Sequence, residues 1–364
     1  MKRIYVAATQ QHDGKTTTCV GLYAAALNRG HTAAFIKPVG QHYQIEEGVK
    51  VDEDAVLFKH GMSAPGSVHS MSPVIIPRGF TEEYIFNRDP HRIEREIQEG
   101  FDQVTEGKEV AVIEGTGHAG VGSVIDASNA RVARFLEADC IIISKGGIGR
   151  CIDEIALNRA LFEREGVRCL GAIINKVWTE KYDRIEKAVR QGLKNVGIEC
   201  LGVVPYREEL TFPTMAQVHL GLDLEVLSGE EHLEHHVRKI IVAAMEPQNM
   251  IEYLEDGSLV IVPGDRVGNI LTSITAHLMQ QGNGRRHMSG LLLTGGLTPP
   301  ESVRKLMGRV DVPVLLSEED TATAAYKARR LVAKIRPDEP EKLKLAGGLV
   351  RDYVDVDRIL GEAS

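Results

Sequence analysis

Continuous apolar runs recur along the chain at Ile4–Ala8, Thr32–Lys37, Val110–Glu114, Cys140–Ser144, Gly171–Asn175 and Cys200–Val204. They do not alternate with polar residues, so they suit strands buried on both faces, as in a parallel sheet. Between them, apolar residues at helical spacing mark Thr17–Asn28, Asn129–Leu136, Asp153–Glu165 and Tyr182–Val196. Strands alternating with helices predict an α/β fold with a doubly wound, mainly parallel sheet. Its sites are expected at the C-terminal ends of the strands.

The pattern breaks into a polar stretch near Gly221–Glu231. A helical stretch over Leu233–Met245 is expected next, and then a second alternation. That alternation runs through strand Leu259–Pro263, helix Asn269–Gln281, strand Gly290–Thr294, helix Pro300–Val310, strand Val314–Leu316 and helix Thr321–Ile335. Polar residues Arg336–Lys344 then lead to a terminal helix. The expected organisation is a first α/β domain over 1–224 and a linker helix with a smaller α/β domain over 225–364.

Length agrees with two domains: the chain has 364 residues, 43% of them hydrophobic and 26% charged. This is the balance of a globular protein with apolar cores. A net charge of -8 without a basic run argues against nucleic acid and anionic membrane surfaces as partners. The opening MKRIYVAAT lacks the length and cleavage pattern of a signal peptide and reads as a buried strand, so a cytoplasmic protein is expected. Cys19, Cys140, Cys151, Cys169 and Cys200 form no CxxC pair and read as small core residues.

The first strand runs into Thr9-Gln10-Gln11-His12-Asp13-Gly14-Lys15-Thr16-Thr17, and a helix follows. Strand, glycine-bearing turn and helix N-terminus form the context of a phosphate loop. Backbone N–H groups face the phosphates, Lys15 reaches the β and γ oxygens, and Thr16 ligates magnesium. Thr9 stands where the G-x-x-x-x-G-K-[ST] pattern has glycine. His12 and Asp13 read as substrate contacts or as polar loop residues, the two readings being even for His12.

A phosphate loop needs carboxylates for its metal. Glu114 ends a buried strand beside the first strand and is a candidate ligand. Asp52 and Asp54 are others, with a charge at a helix N-terminus as the competing reading. Lys37, held before Pro38 at the tip of the second strand, can neutralise a transferring phosphoryl group or a substrate carboxylate. Gly115-Thr116-Gly117-His118-Ala119-Gly120 satisfies G-x-G-x-x-G, but no helix opens after it and no acidic strand end follows for a ribose, so a dinucleotide site is rejected.

The first domain resembles dethiobiotin synthetase and the related cobyrinic acid a,c-diamide synthase group of P-loop proteins. The resemblance covers about residues 1–220. It rests on Thr9–Thr17, Lys37-Pro38-Val39, Asp52 to Asp54, Glu114-Gly115-Thr116-Gly117, Gly147-Ile148-Gly149, Ile174-Asn175 and Gly202-Val203-Val204-Pro205. It implies that the loop holds ATP, that Glu114 and an aspartate (Asp52 or Asp54) hold Mg2+, and that Lys37 helps bind the transferring groups. It also implies that Asn175 and Pro205 border the adenine. Gln10 and Gln11 replace the family's usual Asp-Thr, His118 stands where glycine is usual, and Gln41–Val51 carries no substrate signature.

In the second domain, Gly264-Asp265-Arg266-Val267-Gly268, Leu293-Thr294-Gly295-Gly296 and Asp320-Thr321 look like a DRTGG domain, with Val267-Gly268-Asn269 in place of Thr-Gly-Gly. The whole looks like the N-terminal portion fused to some bacterial phosphotransacetylases. The glycine turns at strand ends read equally as an anion pocket or as simple tight turns.

The sequence therefore suggests an ATP-dependent enzyme activating a carboxylate or carbamate of an unidentified small molecule. A nucleotide-responsive regulatory module is the alternative. Authentic dethiobiotin synthetase ranks last, because such enzymes lack the second domain. Relatives of the first domain imply a homodimer.

Overall fold

The computed structural model describes residues 1–46, 48–280, 288–331 and 333–361. These form two compact units, Met1–Arg207 with Ile335–Ser364, and Glu208–Lys334.

The first unit is built on six parallel strands: β1 (Lys2–Ala8), β2 (Ala33–Ile36), β3 (Val110–Glu114), β4 (Asp139–Lys145), β5 (Cys169–Val177) and β6 (Cys200–Pro205). Their spatial order is β6-β5-β4-β1-β3-β2, with every neighbouring pair parallel. The apolar runs became strands because both faces are covered: Ile4 to Ala8, Val110 to Ile113 and Ile141 to Ile143 are all buried. The register sets Val6 opposite Glu114, so the end of β3 lies beside the turn that leaves β1.

Around this sheet lie α1 (Lys15–Asn28), α2 (Pro90–Thr105), α3 (Asn129–Phe135), α4 (Gly149–Arg164) and α5 (Tyr182–Asn195). The helix α2 was not anticipated, although its signals are in the sequence. Asp89 caps it by accepting from Arg92 N, Pro90 opens it, and Ile93, Ile97, Phe101 and Val104 bury one face.

The second unit holds a five-stranded sheet of β7 (Glu225–Ser228), β8 (Lys239–Val242), β9 (Ser258–Pro263), β10 (Met288–Thr294) and β11 (Val314–Leu316). The order is β7-β11-β10-β9-β8, with β7 antiparallel at one edge and the other pairs parallel. Side chains alternate between two cores. Val260, Val262, Leu291 and Leu293 enter one, and Leu259, Ile261 and Leu292 enter the other. Its helices are α6 (Met215–Leu222), α7 (Val267–Gln280), α8 (Glu301–Met307) and α9 (Thr321–Arg330). The expected last residue of α7, Gln281, falls outside the described residues.

Two expectations are corrected. The helix expected over Leu233–Met245 is instead the strand β8, because the β-branched run Ile240-Ile241-Val242 pairs in parallel with Leu259 to Ile261. The chain after residue 334 was assigned to the second domain but belongs to the first unit. Its helices α10 (Pro340–Tyr353) and α11 (Val356–Leu360) return there. Leu343, Ala346, Leu349 and Val350 form the buried face of α10, which packs against α1. Val350 fills the space that a Cβ on Gly21 would need, and Asp355 N donates to Leu201 O at 2.8 Å. The boundary between the units falls at 207/208 rather than 224/225.

Candidate nucleotide site

The turn leaving β1 is fixed by its own side chains. Thr9 N continues the sheet by donating to Ile143 O at 2.8 Å. Thr9 Oγ1 donates to Asp13 Oδ2 at 2.9 Å and lies 3.0 Å from Ser144 Oγ. Gln10 N donates to the same Asp13 oxygen at 2.9 Å. Thr9 thus ties the two ends of the loop, and its backbone does not adopt the positive φ that would require glycine. Asp13 is buried, and its carboxyl is pushed up by that burial against the bonds from Thr9 and Gln10. Both of these bonds to its carboxylate come from within the loop.

His12 takes the left-handed conformation at φ 63, and its carbonyl accepts from Lys176 Nζ at 2.6 Å. Gln10 Nε2 donates to Glu154 Oε1 at 2.8 Å, while Gln11 is exposed. Gly14 caps α1 at φ 105, and a Cβ there would overlap the Asn175 side-chain amide. Glycine is required twice over at this position.

The start of α1 is open. Gly14 has no side chain to cap the helix, and no acidic residue lies in the first turn. Asp89, Ser128, Thr214 and Asp320, by contrast, each cap their helices with a side-chain oxygen. Uncapped first-turn N–H groups and the positive end of the helix dipole favour an anion. Lys15 is buried there beside half-buried Thr16 and Thr17. Burial, then repulsion from Lys37, holds the Lys15 ammonium below the ordinary lysine range.

Charged groups converge beside this terminus. Lys37 Nζ lies 2.7 Å from Asp54 Oδ2 and 3.0 Å from Glu114 Oε1. Thr16 Oγ1 lies 2.8 Å from Glu114 Oε1 and 3.3 Å from Asp54 Oδ1. Burial alone would lower the Lys37 ammonium, but Asp54 and Glu114 outweigh it and hold it well above the ordinary range. Two carboxylates here face one ion-paired ammonium, so burial and then Asp54 push the Glu114 carboxyl up.

Glu114 Oε2 is buried without a hydrogen-bond partner among the described residues. The Cys19 thiol, whose pKa burial and Glu114 raise, is a weak donor at most. An orphaned carboxylate oxygen next to a hydroxyl and a second carboxylate is a hard oxygen donor set, and it fits magnesium. Thr16, Asp54 and Glu114 would hold the ion, which would supply charge neutralisation to bound phosphates.

Asp52 stands one step behind. Its Oδ1 accepts from Asp54 N at 2.9 Å, capping the helix Glu53–Val56, and Asp52 N donates to Ser72 Oγ at 3.0 Å. It presents Asp54 to the cluster, the helix-terminal role that competed with metal binding.

Asn175 lies two residues before the end of β5 and Pro205 ends the adjacent β6, opposite Val177. Asn175 Nδ2 donates to Asp13 O at 2.8 Å and its Oδ1 accepts from Lys176 N at 2.8 Å, so this side chain also braces the loop. Next to this pair, Trp178 and Tyr206 place their rings 4.7 Å apart, with Trp178 52% exposed. Sequence patterns missed these aromatics because each is a lone aromatic just past a strand.

Sequence patterns also missed Asn129. It accepts from Tyr5 Oη at 2.8 Å and from Thr116 N at 2.9 Å, and it donates to the carbonyls of Thr116 and His118. That network shapes the loop after β3, and the Asn129 amide occupies the space a Cβ on Gly115 would need.

A family described as "AAA domain" matches residues 2–214, more than half of the chain. The chain belongs to that P-loop family. In this AAA-domain protein a second match, described as "DRTGG domain", covers residues 217–331. The phosphate acetyltransferase of Nitratidesulfovibrio vulgaris is 26% identical over 365 residues, covering 97% of this chain and 50% of that protein. The chain thus spans about half the length of the curated relatives matched along its whole length.

The ATP-dependent dethiobiotin synthetase of Xanthomonas campestris pv. campestris is 26% identical over 219 residues, covering 60% of this chain and 96% of the enzyme. Among solved structures, the CBS and DRTGG domains of the Clostridium perfringens pyrophosphatase regulatory region, complexed with diadenosine tetraphosphate, match at TM-score 0.26 and 17% identity. That match covers 48% of this chain and 86% of the other. Among the described residues of the AAA-domain chain, no helix is long and apolar enough to cross a membrane.

Proposed function

We propose that this chain binds ATP with Mg2+ at the start of α1 and transfers the γ-phosphoryl group to a carboxylate or carbamate of a small acid. Residues 208–334 would act as a regulatory domain. The observation that carries this reading is the convergence of Lys15, Thr16, Lys37, Asp54 and Glu114 on one uncapped helix terminus.

In the transfer, the bond from the γ-phosphorus to the bridging oxygen breaks and ADP leaves with the electron pair. The acceptor's oxygen forms the new bond to phosphorus; an amine of the substrate or water then bonds to the acyl carbon of the mixed anhydride, and phosphate leaves with the electron pair of the broken C–O bond. Lys15 and the amides of the first turn would stabilise the charge on the γ oxygens. Asn175, Pro205 and the Trp178–Tyr206 pair are the proposed border of the base, with the exposed indole offering a stacking face.

Phosphate release from Mg·ATP, measured with and without a panel of small carboxylic acids, tests the proposal. Stimulation by one acid is expected. Absence of turnover with every acid, together with tight binding of Mg·ATP, would contradict it.

A second reading, a nucleotide-responsive regulator without turnover, draws on a specific observation. Lys37 is buried and already ion-paired with Asp54 and Glu114, so its charge is largely balanced before any phosphoryl group arrives. The relatives matched across 97% of this chain are also named for acetyl transfer rather than for a nucleotide. Conversion of diaminopelargonic acid with bicarbonate would instead make it a dethiobiotin synthetase.

A further inference from the structure

We propose that His232, Glu234 and His235 of the second unit form a binding site for a divalent transition-metal ion of the zinc type. Their ligand atoms all lie within 4.8 Å of one another. The imidazole centroids are 5.4 Å apart, with the rings inclined at 29°. Nε2 of His235 lies 3.5 Å from Glu234 Oε1. His235 is buried, the His232 side chain is 25% exposed and Glu234 reaches in from solvent.

The backbone is fixed before any ion arrives. Gly229, at φ 72, opens the tight turn Glu230–His232, and a side chain on it would run into Val312 O. His232 N donates to Gly229 O at 3.0 Å and His235 N to His232 O at 3.2 Å. From the other side, the first amides of α6 hold the same segment: Ala216 N donates to Leu233 O at 2.8 Å and Met215 N to His235 O at 2.9 Å. Leu233, between the two histidines, packs against the second unit's core. The three side chains therefore project from a turn pinned at both faces, and closing them on an ion requires little ordering of backbone.

The donor set selects the ion. Two imidazoles and one carboxylate suit zinc, cobalt or nickel, whereas magnesium and calcium take oxygen ligands. Three protein ligands leave a position for water. The exposed Glu231, with Oε1 3.7 Å from His232 Nε2, lies near enough to compete for that position. The ion would clamp the turn whose carbonyls accept the first hydrogen bonds of α6.

The test uses the full, untagged chain, stripped with a chelator and kept in millimolar Mg2+ so that the oxygen ligands of the first unit are occupied. Zn2+ binding is measured by equilibrium dialysis, and Co2+ is added as a visible-absorption probe of ligand type. One ion per chain is expected, with a Co2+ band of low-symmetry nitrogen and oxygen coordination. His232→Ala and Glu234→Gln, both at solvent-accessible side chains, should each weaken Zn2+ affinity about tenfold or more and abolish the band. Should the parent fail to hold Zn2+, or should both variants bind it as tightly as the parent, the assignment is wrong.

Discussion

Both units end parallel strands in glycine turns, but the turns use their amides differently. In the second unit, Gly264 N donates to Thr294 O at 3.2 Å, Gly295 N to Glu319 O at 2.7 Å and Gly296 N to Ser317 O at 2.9 Å. Asp320 then covers the start of α9 by accepting from Ala322 N and Thr323 N. These amides already have acceptors, which favours the tight-turn reading over an anion pocket. At the start of α1, the corresponding donors face no capping side chain, and two buried lysines stand beside two buried carboxylates. The same fold can therefore close its strand ends with backbone bonds or charge them for a ligand. The deciding feature is where the amides and the charges go.

The contrast can be broken first at Lys37. Removing it leaves Asp54 and Glu114 buried and unbalanced. Lys37→Met should lower stability in denaturant by about 3–5 kcal/mol, the range for breaking a buried ion pair. Millimolar Mg2+ should restore part of that loss, because a cation at Thr16, Asp54 and Glu114 would replace the missing charge. A variant as stable as the parent would mean that the cluster is already balanced without Lys37.

A smaller effect is expected in the closed unit. Gly296 adopts φ 62 and its Cβ position lies against the Glu318 carboxylate. Gly296→Ala should cost about 1–2 kcal/mol of thermal stability through backbone strain and leave ATP affinity unchanged. Weakened ATP binding in this variant would show that the second unit's turns also receive the nucleotide.

The smallest effect is a pH slope. Burial and Lys37 hold Lys15 below the ordinary lysine range, so the free protein loses that proton at a lower pH than an exposed lysine would. Bound phosphates favour the protonated form. ATP affinity should therefore be flat near neutrality and fall as pH rises through the lowered Lys15 value. Isothermal titrations across alkaline pH read this directly. An affinity unchanged up to the ordinary lysine range would contradict the depressed proton affinity.

Much of this difference was legible in the sequence. Strand ends declare themselves through apolar runs followed by glycine, which placed Gly14, Lys15, Thr16, Lys37 and Glu114 together on one edge. Asp54 could be named, but its separation from Asp52 could not. Only the fold shows Asp52 turned back to cap the helix that carries Asp54. Asn129 and Asn175 were illegible as loop supports because their partners lie far along the chain. The return of Leu343, Ala346 and Val350 to α1 was equally hidden. An amphipathic helix shows that it needs a partner, but not which one. The edge strand β8 was misread for a related reason: a short apolar run fits helix or strand until its neighbour is known.

The central claim is that the open start of α1 receives the triphosphate. Calorimetric titration of the full chain with Mg·ATP, in the parent and in Lys15→Ala, tests it most directly. The account predicts one Mg2+-dependent site per chain in the parent. In Lys15→Ala it predicts a loss of affinity of about a hundredfold or more, with an unchanged far-ultraviolet spectrum. Binding of equal strength in the variant would contradict it.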